Sequence, residues 1–296
     1  MELRHLRYFV AVAEERNFTR AATRLGIGQP PLSQQIKDLE AEVEARLFRR
    51  LPTGAELTEA GAAFLDEARA ALAAAERAAL AARRAAEGRI GRLRIGCTGS
   101  GFFNPLVTGA LRAFGAAYPD VSVVLEEGNT GLLLERLSAG FLDAAFLRPH
   151  EGLPPALRAH GGVDEPMEVA LPESHPLAGA DAVRLADLAG ARFVLFPRPM
   201  GESLHDTITN ACRAAGFEPL RGQEAQQFPS IINLVASGLG VSLVPASLAQ
   251  VRVAGVRFRP IDGPVPLARL RLVSSRASHA QTLRNFLALA NGAPAA

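Results

Sequence analysis

Little in this 296-residue chain suits a secreted or membrane setting. It has two cysteines, Cys97 and Cys212, too few for a disulfide framework and without the CxxC or Cys/His clustering of a zinc site. No window approaches the ~20 uninterrupted apolar residues that a bilayer span needs. The opening MELRHLRYF lacks the apolar stretch and small-residue cleavage site of a signal peptide. The expected setting is cytoplasmic, with no membrane partner. Lysine is almost absent: Lys37 is one of 32 basic side chains and the rest are arginine, which together with the alanine excess reads as coding bias. A net charge of +2 excludes the general electrostatic attraction of a non-specific nucleic-acid binder, so any DNA contact must be local. What is present, 48% hydrophobic and 21% charged residues, is an ordinary globular composition with length for two or three cores.

Residues 1 to 58 read as short helices followed by a hairpin. Leu6, Phe9, Val10 and Ala13 recur at the spacing of one helical stripe. Thr19 is placed to cap a second helix whose inner face is Ala21, Ala22 and Leu25, and Gly26-Ile27-Gly28 ends it. A third helix opens at Pro30-Pro31, where a missing N–H costs little, and turns Leu32, Ile36, Leu39 and Val43 inward. RRLPTGAEL (49 to 57) reads as a small hairpin or wing. From the natural cap Thr58 to Glu87 the composition predicts one helix of about 30 residues. Its stripe Leu65, Ala68, Leu72, Ala75, Ala79 and Ala82 has the spacing of a coiled-coil seam between two copies; a solvated spacer helix is the alternative.

Beyond Gly88, apolar runs at 93–96, 121–127, 144–147, 168–171, 192–196, 241–245 and 268–273 read as strands, and 103–117, 130–140, 203–215, 228–237 and 278–290 as helices. Such alternation predicts open α/β sheets. A crossing near Pro166 and a return near Pro264 would divide them into two lobes with a cleft between.

The segment FTRAATRLGIGQPPLSQQIKDLE (18 to 40) has the features of a helix-turn-helix: small Ala21 and Ala22 where helices cross, glycines in the turn, and a polar first turn on the next helix. Gln29, Ser33, Gln34 and Lys37 are expected on its outward face, where amides read adenine, hydroxyls serve base edges or phosphate, and Lys37 meets phosphate. Two amphipathic helices with a polar outer face also occur in ordinary bundles. With RAATRL, Gln29-Pro30, SQQIKDLE, ARLFRR and ELTEAG in order, Leu6 to Leu57 resembles the winged helix-turn-helix of the LysR-type transcriptional regulators, and the likeness extends through GRLRIG, ALPESHPLAG and VASGLGVSLVP. QPP and LFPR (195 to 198) resemble most the branch controlling degradation of aromatic compounds.

That resemblance implies a winged domain over 1–58, a dimerising linker over 59–88, and an effector-binding domain over 89–296 of the type 2 periplasmic-binding-protein fold, with lobe I at 89–165 and 265–296 and lobe II at 166–264. It implies double-stranded operator DNA, a small-molecule effector and RNA polymerase as partners, a homodimer through 59–87 and a homotetramer. Thr19, Arg20, Gln29, Pro30, Pro31, Ser33, Gln34, Lys37, Arg49, Arg50 and Thr53 become the expected DNA contacts. Two departures stand out: Gln34 occupies a position commonly arginine, and the wing has no basic residue at its tip. Residues 1 to 58 carry nine basic side chains against eight acidic ones, so affinity must come from pairing several domains.

GCTGSG (96 to 101) fails the dinucleotide fingerprint, because Asn104 stands where a third glycine would be, and no GK[ST] follows. It reads instead as a strand-to-helix turn at the cleft, where Thr98, Gly99, Ser100 and the helix N-terminus hold a carboxylate. By resemblance Thr130 and Arg148 complete that site, faced by Phe196, Ser203 and Phe228. A guanidinium with hydroxyls favours a small anion, an aromatic acid or ring-cleavage product; the other reading of Arg148 is a surface ion pair. GESLH is not GxSxG and no HExxH occurs, so neither an enzyme, a metal nor a cofactor is expected. Cys97 could sense oxidants or be a small buried hydrophobe. A solute-binding module, or an α/β enzyme with an accessory helix-turn-helix, is the alternative function.

Overall fold

The structure, a computed structural model, describes residues 1–52, 54–150 and 152–292, which fall into two compact units, Met1–Arg84 and Ala85–Ala296. In the first unit α1 (Leu3–Glu15), α2 (Phe18–Leu25) and α3 (Gln29–Glu42) enclose Leu6, Phe9, Val12, Ala21, Ala22, Leu32, Ile36 and Leu39. Val10 and Ala13 of the expected α1 stripe are only half-buried; Ala11 and Val12 take the inward positions instead. Asn17, not Thr19, caps α2: its Oδ1 accepts from the Thr19 and Arg20 N–H groups at 2.9 and 3.1 Å. An Asn oxygen reaching both donors places Thr19 inside the first turn. Gly26, at φ +68°, ends α2 in the left-handed region where glycine has no Cβ penalty.

The wing is an antiparallel pair, β1 (Phe48–Leu51) and β2 (Gly54–Leu57). Thr58 caps α4 (Glu59–Ala86) as expected, its Oγ1 accepting the Gly61 N–H at 2.9 Å. The apolar stripe of α4 divides along its length. Ala68 is buried, and Leu65 and Leu72 pack against the core of their own unit. Ala79 and Ala82 are exposed and Ala75 half-exposed, so the stripe open to another chain is the later half.

The second unit carries the predicted strands and helices, with two additions. A seven-stranded sheet has the order β10 (Val256–Arg259), β6 (Leu157–Pro172), β11 (Leu267–Ser275), β5 (Ala144–Leu147), β3 (Gly91–Cys97), β4 (Val121–Glu127), and β9 (Ser242–Pro245) pairs with β6 beside it. β7 (Arg192–Leu195) and β8 (Leu220–Glu224) form a separate parallel pair. Around them lie α5 (Pro105–Ala117), α6 (Thr130–Ser138), α7 (Glu202–Ala214), α8 (Phe228–Ala236) and α9 (Gln281–Ala290). The long β6 joins two lobes: up to Pro166 it pairs with β11, and from Met167 onward with β9 and β10. Each lobe has its own core, one around Leu93, Ile95, Phe114, Phe146 and Phe286, the other around Phe193, Ile208, Ile231, Val235 and Leu243.

Candidate functional site

In the first unit the polar side of α3 faces outward at Gln29, Pro30, Pro31, Gln34 and Lys37, all exposed. Gln34 Nε2 donates to Asp38 Oδ1 at 2.8 Å, which orients its amide along the helix. Ser33 is the exception. It is 9% exposed, because its place in the turn lies beside Leu32 and Ile36, so it does not share the open face expected of it. Thr19 and Arg20 are exposed at the start of α2, with Arg20 donating to the Glu15 carbonyl oxygen. On the wing Arg49 and Arg50 are exposed, and the Arg50 guanidinium stands 4.7 Å from the Phe18 ring centroid. Thr53 lies outside the described residues. Acidic Glu14 is occupied elsewhere: hydrogen bonds from Arg69 and Arg24 hold its carboxyl below the usual range.

In the second unit a cavity of about 550 Å³ opens between the lobes, a size that suits a small ligand. Thr98, Gly99, Ser100, Thr130, Arg148, Phe196 and Phe228 all line it; Ser203 does not. α7 begins at Glu202, and Gly201 and Leu204 are the residues of that turn that reach the cavity. Phe102, Phe103, Glu127 and Gln226 complete much of the wall.

Arg148 sits at the floor, 4% exposed. It donates from Nε to Ser100 Oγ (3.1 Å), from Nη1 to the Ala268 carbonyl (2.8 Å) and from Nη2 to Glu165 Oε2 (3.2 Å). Burial lowers its pKa and the Glu165 carboxylate opposes that shift. The pair is therefore internal, not the surface ion pair weighed from the sequence. Glu165 is itself fully engaged, accepting also from Asn104 Nδ2 (3.0 Å) and the Ser247 N–H (2.6 Å). Thr130 Oγ1 donates to the Arg148 carbonyl (3.2 Å) and accepts its N–H (3.3 Å), so this hydroxyl holds the Arg148 backbone.

The helix N-termini at the cleft each carry an asparagine cap. Asn104 Oδ1 accepts from Leu106 N–H, and Asn129 Oδ1 from Leu132 N–H. A guanidinium has five N–H groups, and three of Arg148's are used. Ser100 accepts from Arg148 and, among the described residues, neither its own O–H nor the buried Thr98 Oγ1 has a partner. Cys97 is fully buried, and burial pushes its thiol up to about 12. That favours the buried-hydrophobe reading, since the thiolate is the reactive form.

Residues 86–294 match the LysR substrate binding domain, and residues 3–62 the bacterial regulatory helix-turn-helix protein, lysR family. The chain belongs to the LysR family. It is similar to the HTH-type transcriptional regulator BudR of Raoultella terrigena, 39% identical over 287 residues covering 97% of this chain and 99% of BudR. AlsR of Bacillus subtilis (strain 168) is 35% identical over 297 residues, covering 98% and 96%. The full-length LysR-family regulator CbnR, solved in complex with its target DNA, superposes with a TM-score of 0.86 at 31% identity, covering 98% of this chain and 99% of CbnR. The chain is accordingly a transcriptional regulator of the LysR type, with a DNA-binding helix-turn-helix and an effector-binding domain.

Sequence reasoning missed Glu165, Asn104, Phe102, Phe103 and Glu127. Glu165 had a signal: an acid directly before Pro166, where the chain was already expected to cross between lobes. Asn104 was noticed only as a missing glycine, although its position before Pro105 marks it as a helix cap.

Proposed function

We propose that this LysR-family regulator reads duplex DNA with the exposed side of α3, the start of α2 and the wing, and that a small organic acid in the cleft controls it. Gln29 and Gln34 are the base-reading candidates, Lys37, Arg49 and Arg50 the phosphate contacts, and Thr19, Arg20, Pro30 and Pro31 set the approach. Two copies pair along the later half of α4, where Ala75, Ala79 and Ala82 allow close approach. Pairing multiplies the weak affinity of a nearly neutral domain. A homotetramer through the effector-binding domains and contact with RNA polymerase are what the family membership suggests for the assembled regulator.

The observation that carries the effector reading is the set of donors that no described residue uses at the cavity floor: two N–H groups of Arg148, the Ser100 hydroxyl and Thr98 Oγ1. Desolvated donors without acceptors cost free energy that a ligand oxygen recovers. Phe102, Phe103, Phe196 and Phe228 supply flat apolar walls, which suits an aromatic acid or a ring-cleavage product. Because the relatives are not confined to one branch, the test panel spans aliphatic acids too. Thermal denaturation of the full chain is measured with each acid and with its neutral amide. Stabilisation by an acid and not by its amide is the expected result; equal stabilisation by both contradicts the anionic reading.

A further inference from the structure

One buried carboxylate ties the wing to the recognition helix. Glu40, in the last turn of α3, is 8% exposed, and its Oε1 accepts from the backbone N–H groups of both Leu47 (2.8 Å) and Phe48 (3.1 Å). Its Oε2 meets Arg46 Nη1 at 3.1 Å, but the Arg46 side chain lies 79% in solvent. On the opposite side of Leu47, the carbonyl oxygen accepts from the Thr58 N–H at 3.0 Å. Phe48 then packs between Phe9 and Phe18, with centroid separations of 5.1 and 5.8 Å. Arg49 and Arg50 follow at once on β1. The peptide that launches the wing is thus fixed from α3 on one side and from the start of α4 on the other.

We propose that Glu40 is a positioning residue for DNA binding, setting where Arg49 and Arg50 stand relative to α3 through its two backbone hydrogen bonds and not through its charge. The proposal rests on the reading that α3 and the wing meet DNA together. Charge is the lesser part because the Arg46 partner is solvated, and such pairs contribute little. The two N–H groups are buried donors, which must be matched. Both land on one oxygen, so an amide oxygen can take its place, whereas a carboxylate one methylene shorter cannot reach.

The test uses the full chain and a duplex that the wild-type chain enriches from a randomised library. Glu40→Gln, Arg46→Ala, Glu40→Asp and Glu40→Leu are each made with and without Arg49→Ala, and affinity is measured across salt concentrations. Glu40→Gln and Arg46→Ala are expected to bind within about threefold of wild type and to keep the full penalty of Arg49→Ala. Glu40→Asp and Glu40→Leu are expected to lose about tenfold. Their salt slope should fall by about 1 to 2, and Arg49→Ala should cost nothing more in their background. Either of the two, if folded by circular dichroism, decides the matter. Wild-type slope with an intact Arg49 penalty in Glu40→Asp or Glu40→Leu overturns the proposal, as does loss of that penalty in Glu40→Gln. Unfolding of both makes Glu40 a folding residue and overturns it as well. A wild-type chain that enriches no duplex overturns the DNA reading beneath it.

Discussion

The two units present their chemistry in opposite ways. On α3 the candidate reading groups are exposed and contact only near neighbours, as Gln34 does Asp38 four residues away. In the cleft the central polar group is bonded to residues far along the chain: Arg148 holds Ser100, Glu165 and the Ala268 carbonyl together. A face that meets a large rigid partner such as DNA can leave its groups to water until contact. A cavity that must stay shaped while empty has to hold its buried charge from within, and only the donors that meet the ligand are left over. The difference implies that substitutions on α3 cost function without stability, whereas substitutions at the cleft floor cost both.

The largest effect expected from that contrast is at Glu165. Glu165→Ala leaves the Arg148 guanidinium buried without its counter-charge, which costs about 3–5 kcal/mol. Chemical denaturation should show the loss in the second unit while the first unfolds as before; a change below 1 kcal/mol would break the comparison. Gly61→Ala comes next and probes the first unit. A Cβ there would lie 2.0 Å from the Leu47 carbonyl oxygen, a backbone atom that cannot turn aside, so a loss of about 1–3 kcal/mol confined to the first unit is expected. Smaller in structural consequence is Cys97. With its thiol pushed up to about 12, the neutral form prevails throughout the physiological range and the thiolate appears only as pH rises toward that value. Alkylation at pH 8 should be at least a hundredfold slower in the native chain than in urea, by roughly the ratio of thiolate; equal rates would restore an oxidant-sensing role. Least disturbing to the fold are Gln34→Ala and Lys37→Ala, each within about 0.5 kcal/mol of wild type in stability. Gln34→Ala should nonetheless relax base preference by about 1–3 kcal/mol, and Lys37→Ala should lower the salt slope by about 1. Footprints identical to wild type in both would take α3 out of the interface.

How much was legible in the sequence follows the same division. α1 to α4 and the wing were readable because their determinants are local: the Ala21-Ala22 crossing, Gly26, the Pro30-Pro31 start and the Thr58 cap. Thr19 reads as the cap in the sequence, whereas Asn17, two residues earlier, supplies the oxygen. Ser33 reads as outward because it stands four residues from both Gln29 and Lys37, yet it is buried with Ile36 and Glu40, three and seven residues on. In the second unit β8 and β10 gave no signal: LRGQE is largely exposed, and VRFR alternates over only four residues. β6 was seen only at its apolar end, since AHGGVDE hides a strand of sixteen residues. That Thr98, Ser100 and Arg148 share the cleft is legible, but their partners are not, because Glu165 and Ala268 come there only through the β6–β11 pairing. Which half of α4 faces its own core was equally invisible, as the seam pattern is the same in both.

The most direct test uses two variants of the full chain and one readout. Gln34→Ala removes a reading group from α3, and the double variant Arg148→Gln with Glu165→Gln removes both members of the buried ion pair together, so that neither charge is left buried alone. Affinity for the enriched duplex is measured for each, with and without the acid that stabilises the wild-type chain. The account predicts that Gln34→Ala weakens DNA binding and keeps the response to acid, whereas the double variant keeps acid-free DNA binding and loses the response. A double variant that responds to the acid as wild type does, or a Gln34→Ala chain with unchanged binding and base preference, would contradict it.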